Sequence, residues 1–277
     1  MLEFGAPDAR NPLLTAASAL RRTQYHLHFV LASLVGGIAF TLISIVGILY
    51  FALTRDRRSP MLFARTFAAV MRGVTGWRIE AEGLERMNRM RPSVMMARHQ
   101  SNLDIVTFGT IYPNGTVVLG KLEIKKIPFF GWFFGATGNI FVDRKNPRRA
   151  IASLQEAAER VKREKLSVWV FPEGTRNSSR SLRPFKKGAF HLAIAAQIPI
   201  LPIVSGPVDT ILDGDRWMVR PGKLALKVLP EIPSAGMTDA DVDLLVGRVW
   251  KAMDEGQKAL LETAAPPIGG AQTPPTN

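Results

Sequence analysis

The sequence predicts an α/β domain, a mixed and mostly parallel sheet flanked by helices, preceded by an N-terminal membrane-associated segment of two helices. Three observations lead there. Residues Phe29 to Thr54 contain no charged side chain. From about residue 78 short apolar runs recur, each closed by a polar cluster and followed by a helical stretch. The 277-residue chain also carries 36 Lys plus Arg against 23 Asp plus Glu, a formal charge of +13, and no Cys. A disulfide-built secreted scaffold and thiol catalysis are therefore excluded. With 47% hydrophobic and 21% charged residues, the chain can bury a sizeable core and does not read as disordered. The positive excess asks for an anionic partner: nucleic acid, an anionic membrane surface or a phosphorylated substrate.

At about 1.5 Å rise per residue, a helix over residues 29 to 54 is long enough to cross a hydrocarbon core of about 30 Å. It exceeds the apolar region of a signal peptide, and Arg55, Asp56, Arg57 and Arg58 follow it where a small-residue cleavage site would stand. Ser33, Gly37, Thr41 and Ser44 recur at helical spacing as a small-residue stripe for packing. Arg21 and Arg22 precede the run, whereas Arg55, Arg57, Arg58, Arg65 and Arg72 follow it, which favours the C-terminal side, and with it the domain that follows, on the cytoplasmic face. Basic residues on both flanks also suit a helix that dips into one leaflet. Pro60 then opens a second helix over residues 61 to 77, with Phe63, Phe67, Val70, Val74 and Trp77 on one side and Arg65 and Arg72 on the other. It is expected at the membrane interface, an ordinary helix packed on the domain being the alternative. His26 and His28 read as interfacial and His191 as a helix residue.

Residues 1–77 thus form the N-terminal membrane-associated part and residues 78–263 the α/β domain. Residues 264–277, with Pro266, Pro267, Gly269, Gly270, Pro274 and Pro275, form a disordered tail. Within the domain, Ser93 to Ala97 runs into Arg98-His99-Gln100-Ser101-Asn102-Leu103-Asp104, and Asn139 to Val142 into Asp143-Arg144. Ser167 to Phe171 runs into Pro172-Glu173-Gly174-Thr175-Arg176, and Ile200 to Val204 into Ser205-Gly206. A strand over Leu224 to Val228 and a helix from about Thr238 to Glu262 complete the domain. Ligands of open α/β sheets bind outside the carboxyl ends of the strands, where these polar clusters gather.

Five residues of regular helix rotate a side chain by about 140°, so His99 and Asp104 meet only if His99 lies in the turn and Asp104 in the first helical turn. The carboxylate then fixes one imidazole N–H and leaves the other nitrogen free as a base, although the same spacing also fits a helix cap. Gly174 lets backbone approach a ligand, Thr175 offers a hydroxyl, and Arg176 can grip a phosphate in two places, a strand-end turn with a solvated Arg being the alternative. Arg144 stands at another strand end, within reach of the same anion, and Lys121 is a further cation. Phe129, Phe130, Trp132, Phe133 and Phe134 form an aromatic run that fits core packing, lipid contact or an acyl channel equally well.

Taken together, His99-x-x-x-x-Asp104, Gly138 to Arg144, Phe171 to Arg176 and Ile198-Pro199-Ile200-Leu201-Pro202-Ile203 resemble, in order and approximate spacing, the four motifs of the glycerolipid acyltransferases, above all those acting on lysophosphatidate. The resemblance covers roughly residues 75 to 230, and Phe185 to Phe190 is similar to the segment after the third motif. Ser205-Gly206 departs from it, because relatives often carry another apolar residue there.

The resemblance implies acyl transfer from acyl-CoA or acyl carrier protein to the sn-2 hydroxyl of lysophosphatidate, giving phosphatidate. His99 would be the general base oriented by Asp104, and no covalent acyl-enzyme forms. Arg144, Glu173, Gly174, Thr175 and Arg176 would form the phosphate site, with Glu173 positioning an Arg or a turn, and Lys121 would stabilise the oxyanion. Neither a cofactor nor a metal is expected. Consistent with this, the sequence lacks Cys and a Gly-x-Ser-x-Gly elbow. Alternatives are another lysophospholipid or an amino-acid-derived lipid as acceptor, or a non-catalytic membrane-binding relative. Nucleic acid is not expected as a partner, since that reading leaves the apolar run unexplained.

Overall fold

A computed structural model describes residues 12–87 and 92–268. The chain opens on helices α1 (Pro12–Thr54) and α2 (Ser59–Thr75), followed by β1 (Trp77–Glu82), α3 (Leu84–Met87), β2 (Val94–Ala97) and α4 (Asp104–Gly109). Next come β3 (Thr116–Lys121), α5 (Phe130–Ala136), β4 (Ile140–Val142), α6 (Pro147–Glu164), β5 (Ser167–Val170) and α7 (Gly188–Ala196). Strand β6 (Ile200–Ser205), the small hairpin β7 (Leu212–Asp213) and β8 (Met218–Val219), β9 (Gly222–Val228) and α8 (Val242–Glu262) finish the domain.

A seven-stranded sheet runs in the order β1-β9-β6-β2-β5-β3-β4, and its pairings are parallel except β6 with β9. This is the predicted mixed, mostly parallel sheet. Strand β2 lies in its middle and is buried throughout, as a strand covered on both faces must be. Its alternate residues serve two cores. Val94 and Met96 pack with Val161, Phe190 and Leu245 of α6, α7 and α8, whereas Met95 and Ala97 pack with Ala64 and Phe108 of α2 and α4.

Two strands of the seven-stranded sheet, β1 and β3, and the two short strands of the β7–β8 hairpin are not foreseen from the sequence. In β1, Trp77, Ile79 and Ala81 alternate with Arg78, Glu80 and Glu82, a period-two pattern hidden because the amphipathic helix was carried through Trp77. Helix α2 in fact ends at Thr75. Gly76 adopts φ 69°, a left-handed conformation, and its N–H closes the last turn on the Arg72 carbonyl at 2.9 Å. Trp77 is buried in the sheet instead, its indole N–H donating to the Arg220 carbonyl at 3.1 Å.

Helix α1 begins well before the uncharged run. Its apolar stretch Ala19–Thr54 is 36 residues, about 54 Å of helix, long and apolar enough to cross a membrane. Leu27, Leu34, Ile38, Leu42, Val46 and Leu49 are exposed on its outer side. The expected packing stripe is displaced round the helix, because of its four residues only Ser44 is buried. The residues that pack are Ala32, Gly36, Phe40 and Gly47. At Gly47 a Cβ would stand 2.8 Å from the Phe133 ring, so glycine permits the approach of α1 to α5. The Phe40 ring meets Phe63, Phe67 and Phe130 at centroid distances of 5.6, 5.4 and 4.5 Å. Phe63, Phe67 and Met71, the apolar side of α2, are therefore covered by protein rather than turned outward.

His26 binds the domain through a hydrogen bond to the Trp217 carbonyl (3.0 Å), and His28 binds α2 through one to the Val74 carbonyl (2.8 Å). Of the segment expected to be disordered, residues 264–268 return to the domain, where the Ile268 N–H donates to the Asp209 carbonyl at 2.8 Å. Residues 269–277 lie outside the described residues.

Candidate active site

Because β2, β3, β4, β5 and β6 all run parallel, their carboxyl ends open on one edge of the sheet, and the polar clusters that follow them converge there. His99 lies in the turn just past β2, and Asp104 is the first residue of α4. They meet: His99 Nδ1 is 2.6 Å from Asp104 Oδ2. A carboxylate oxygen accepts, so Nδ1 carries the proton and Nε2 is the free nitrogen. The same oxygen accepts from the backbone N–H groups of Gln100 (2.7 Å) and Ser101 (3.2 Å), which wraps the turn around one buried carboxylate. The His99 side chain is 26% exposed and stacks on Phe171, ring centroids 4.2 Å apart at 17°. Ser101 Oγ accepts from the Leu103 N–H at 3.1 Å, a turn-forming bond rather than a partnership with His99.

Gln100 joins this turn to the end of β6. Its amide donates to Ser205 Oγ (2.7 Å) and to the Gly206 carbonyl (2.9 Å), and its oxygen accepts from the Val208 N–H (3.2 Å). Ser205-Gly206 thus supplies the acceptors that a buried Gln side chain requires.

In the third cluster Gly174 adopts φ +74°, which lets the chain turn back on itself. Arg144 donates to the Gly174 carbonyl, and Arg176 Nη1 donates to Asn102 Oδ1 at 2.7 Å. Arg144, Thr175 and Arg176 are exposed at the edge. The two guanidiniums serve different partners, Arg144 beside Lys186 and Arg176 beside the turn after His99. Glu173 is placed otherwise than as a phosphate ligand. It is buried, and its Oε2 accepts from Asn177 Nδ2 (2.6 Å) and the Arg183 N–H (3.1 Å), so it holds the loop that carries Arg176. Lys121 is exposed at the end of β3 and does not line the cavity at His99.

Arg98 and Asn177 emerge only from the structure. The Asn177 N–H donates to the His99 carbonyl at 2.7 Å. Arg98 is fully buried beneath the turn and donates to the carbonyls of Asn177 and Ser179. Burial pushes its guanidinium below the usual range, opposed mainly by the charge of Glu173. Together these residues lock the His99 turn to the Arg176 loop. A charged residue directly after an apolar strand reads as a surface turn, and only the path of residues 177–181 across it makes it interior.

His99 opens on a cavity of about 220 Å³ whose walls include Phe108, Phe133, Phe134, Trp169 and Phe171. An imidazole with one nitrogen tied and the other free, in the wall of an apolar chamber, can take a proton from a hydroxyl held beside a long apolar group.

Residues 78–206 match a family model described as Acyltransferase. The chain is 34% identical over 259 residues to a 1-acyl-sn-glycerol-3-phosphate acyltransferase of Saccharomyces cerevisiae, a match covering 90% of this chain and 85% of that one. It is 35% identical over 202 residues to a 1-acyl-sn-glycerol-3-phosphate acyltransferase of Haemophilus influenzae, covering 73% and 83%. The fold is similar to the crystal structure of a 1-acyl-sn-glycerophosphate acyltransferase from Thermotoga maritima, with a TM-score of 0.71 at 23% identity, over 89% of this chain and 98% of that chain. Likeness at this level over most of both sequences establishes descent as well as shape, and the chain belongs to the acyltransferase family, with the 1-acyl-sn-glycerol-3-phosphate acyltransferases as its relatives.

Proposed function

We propose that this enzyme transfers an acyl chain from a thioester donor, acyl-CoA or acyl carrier protein, to the sn-2 hydroxyl of lysophosphatidate, forming phosphatidate. The observation that carries the reading is the His99–Asp104 pair, with Nδ1 held by the carboxylate and the His99 side chain lining an apolar cavity. His99 Nε2 takes the proton of the acceptor hydroxyl as its oxygen bonds to the thioester carbonyl carbon. The tetrahedral intermediate then collapses, the C–S bond breaks, and the imidazolium returns the proton to the departing thiolate. Asp104 stabilises the imidazolium between these events. No covalent acyl-enzyme is required, since Ser101, the hydroxyl nearest in sequence, is engaged in the turn.

The aromatic cavity at His99 accommodates the donor's acyl chain. Arg176, one hydrogen bond from Asn102, meets the acceptor's phosphate, with Thr175 and Arg144 at the same edge. Helix α1 anchors the enzyme, and the basic residues after it hold the catalytic domain against an anionic cytoplasmic membrane surface.

The test is incubation of purified protein in vesicles with labelled acyl-CoA, or acyl carrier protein, and a panel of lysolipids, beside His99→Ala. Phosphatidate from the wild type and a loss of about 10² to 10⁴ in turnover for the variant are expected. A variant at near wild-type rate removes the base, and a product from another lysolipid alone removes the acceptor.

A further inference from the structure

A second apolar cavity, of about 450 Å³, lies between α1 and the domain. Ser33, Gly37 and Phe40 of α1 line one side, Phe67 and Met71 of α2 another, and Leu212, Gly214 and Val219 of the β7–β8 hairpin a third. It reaches the catalytic turn itself, at Ser101, Asn102, Leu103 and Ile105. Asn102 and Ile105 also line the cavity at His99, so the two chambers meet at the site of reaction from different directions.

We propose that this second cavity binds the sn-1 acyl chain of the acceptor, apart from the donor's chain; the assignment rests on the lysophosphatidate reading above. The reaction joins two molecules that each carry a long apolar chain to one reactive centre, and two chambers that adjoin at Asn102 and Ile105, next to His99, hold both without mutual exclusion. Polarity decides which is which. The second cavity shares Ser101, Asn102, Leu212 and Gly214 with a polar groove that contains Arg176. A ligand with its chain in the cavity therefore has its headgroup beside a guanidinium, as an acyl-glycerol phosphate requires. Three carboxylates line that groove: Asp209 is partly neutralised by Arg180 at 3.0 Å and Asp213 by Arg216 at 3.4 Å, while Asp215 stands beside Arg216 in the hairpin turn. The cavity at His99 includes no residue of α1, whereas the second is walled by α1 along its length. A lipid already in the bilayer thus enters sideways past the membrane helix.

Photolabelling of the full-length protein in phosphatidylcholine vesicles, with one substrate at a time so that no turnover occurs, separates the chambers. A lysophosphatidate carrying a diazirine in its chain is expected to label Leu212–Val219 and the facing part of α1, and excess unlabelled lysophosphatidate is expected to abolish that label. An acyl-CoA carrying the diazirine is expected to label Phe130–Phe134 and Trp169. Lysophosphatidate label at Phe130–Phe134 or Trp169 overturns the chain assignment while leaving the acceptor intact. Absence of any competable lysophosphatidate label overturns both.

A kinetic test uses Gly37→Phe. At Gly37 a Cβ meets nothing within 4 Å, so the larger side chain enters open space rather than protein. It denies the ligand two or three methylenes, each worth about fourfold, and the KM for long-chain lysophosphatidate is expected to rise roughly tenfold or more. The KM values for short-chain lysophosphatidate and for the donor are expected to hold. An equal rise for short and long acceptors, or none for the long one, rejects the proposal.

Discussion

At the scale of single residues, one carboxylate oxygen organises the turn after β2. Asp104 Oδ2 receives the His99 ring and two backbone N–H groups, so the orientation of the proposed base and the shape of the loop depend on the same atom. Asp104→Asn replaces the charge with an amide of the same size and removes the stabilisation of the imidazolium. Turnover is expected to fall by about 10² to 10⁴ with little change in either KM, measured under saturating donor and acceptor. Arg176 stands differently, exposed and bonded to Asn102. Arg176→Ala is expected to raise the acceptor KM about tenfold, the lower part of the range for charge-assisted hydrogen bonds because solvent reaches the guanidinium. An unchanged acceptor KM rejects its phosphate role.

Elements are placed by close approaches that glycine permits. A Cβ on Gly109, the last residue of α4, would stand 2.7 Å from the Ala64 carbonyl of α2. Helix α4 also begins at Asp104, so a shift of this short helix moves the base's partner. Gly109→Val is expected to lower stability by about 1–3 kcal/mol through overpacking, seen as a lower melting temperature in detergent together with reduced turnover. Gly73, within α2, has open space where a Cβ would go. Gly73→Ala is expected to be neutral or to stabilise by up to about 1 kcal/mol, because helix interiors favour alanine. If both variants behave alike, the close approach at Gly109 is not what sets the α2–α4 spacing.

For the whole molecule, charge and the membrane helix act together. A net charge of +13 favours an anionic surface, and Arg55, Arg57 and Arg58 concentrate positive charge directly after α1. Because the chain contains no Cys, one introduced thiol reports sidedness without background. Lys251 on α8 is 77% exposed, and Lys251→Cys is expected to react with an impermeant maleimide in inside-out membrane vesicles and to be protected in right-side-out ones. The reverse pattern overturns the proposed orientation.

Local chemistry made much of this legible from the sequence. An uncharged run longer than a bilayer core and short apolar stretches ending in polar turns are patterns of adjacent residues, and they carried the fold class and the apolar helix, whereas His99 five residues before Asp104 became a candidate base only through the resemblance of four motifs in order. Among the strands not foreseen, β1 lies at a boundary where Trp77 fits both a helical and a strand period, and only pairing with β9 decides between them. Which face of α1 packs was likewise undecidable, since Gly37 and Gly36 are equally small, and the partners Met71 and Phe133 lie far along the chain. Tertiary structure alone decided that Glu173 faces inward to Asn177, that Arg98 is buried, and that two apolar chambers share Asn102 and Ile105 in the turn after His99 and the helix it leads into. These depend on which distant segments the parallel sheet brings to one edge, and a linear pattern does not contain that information.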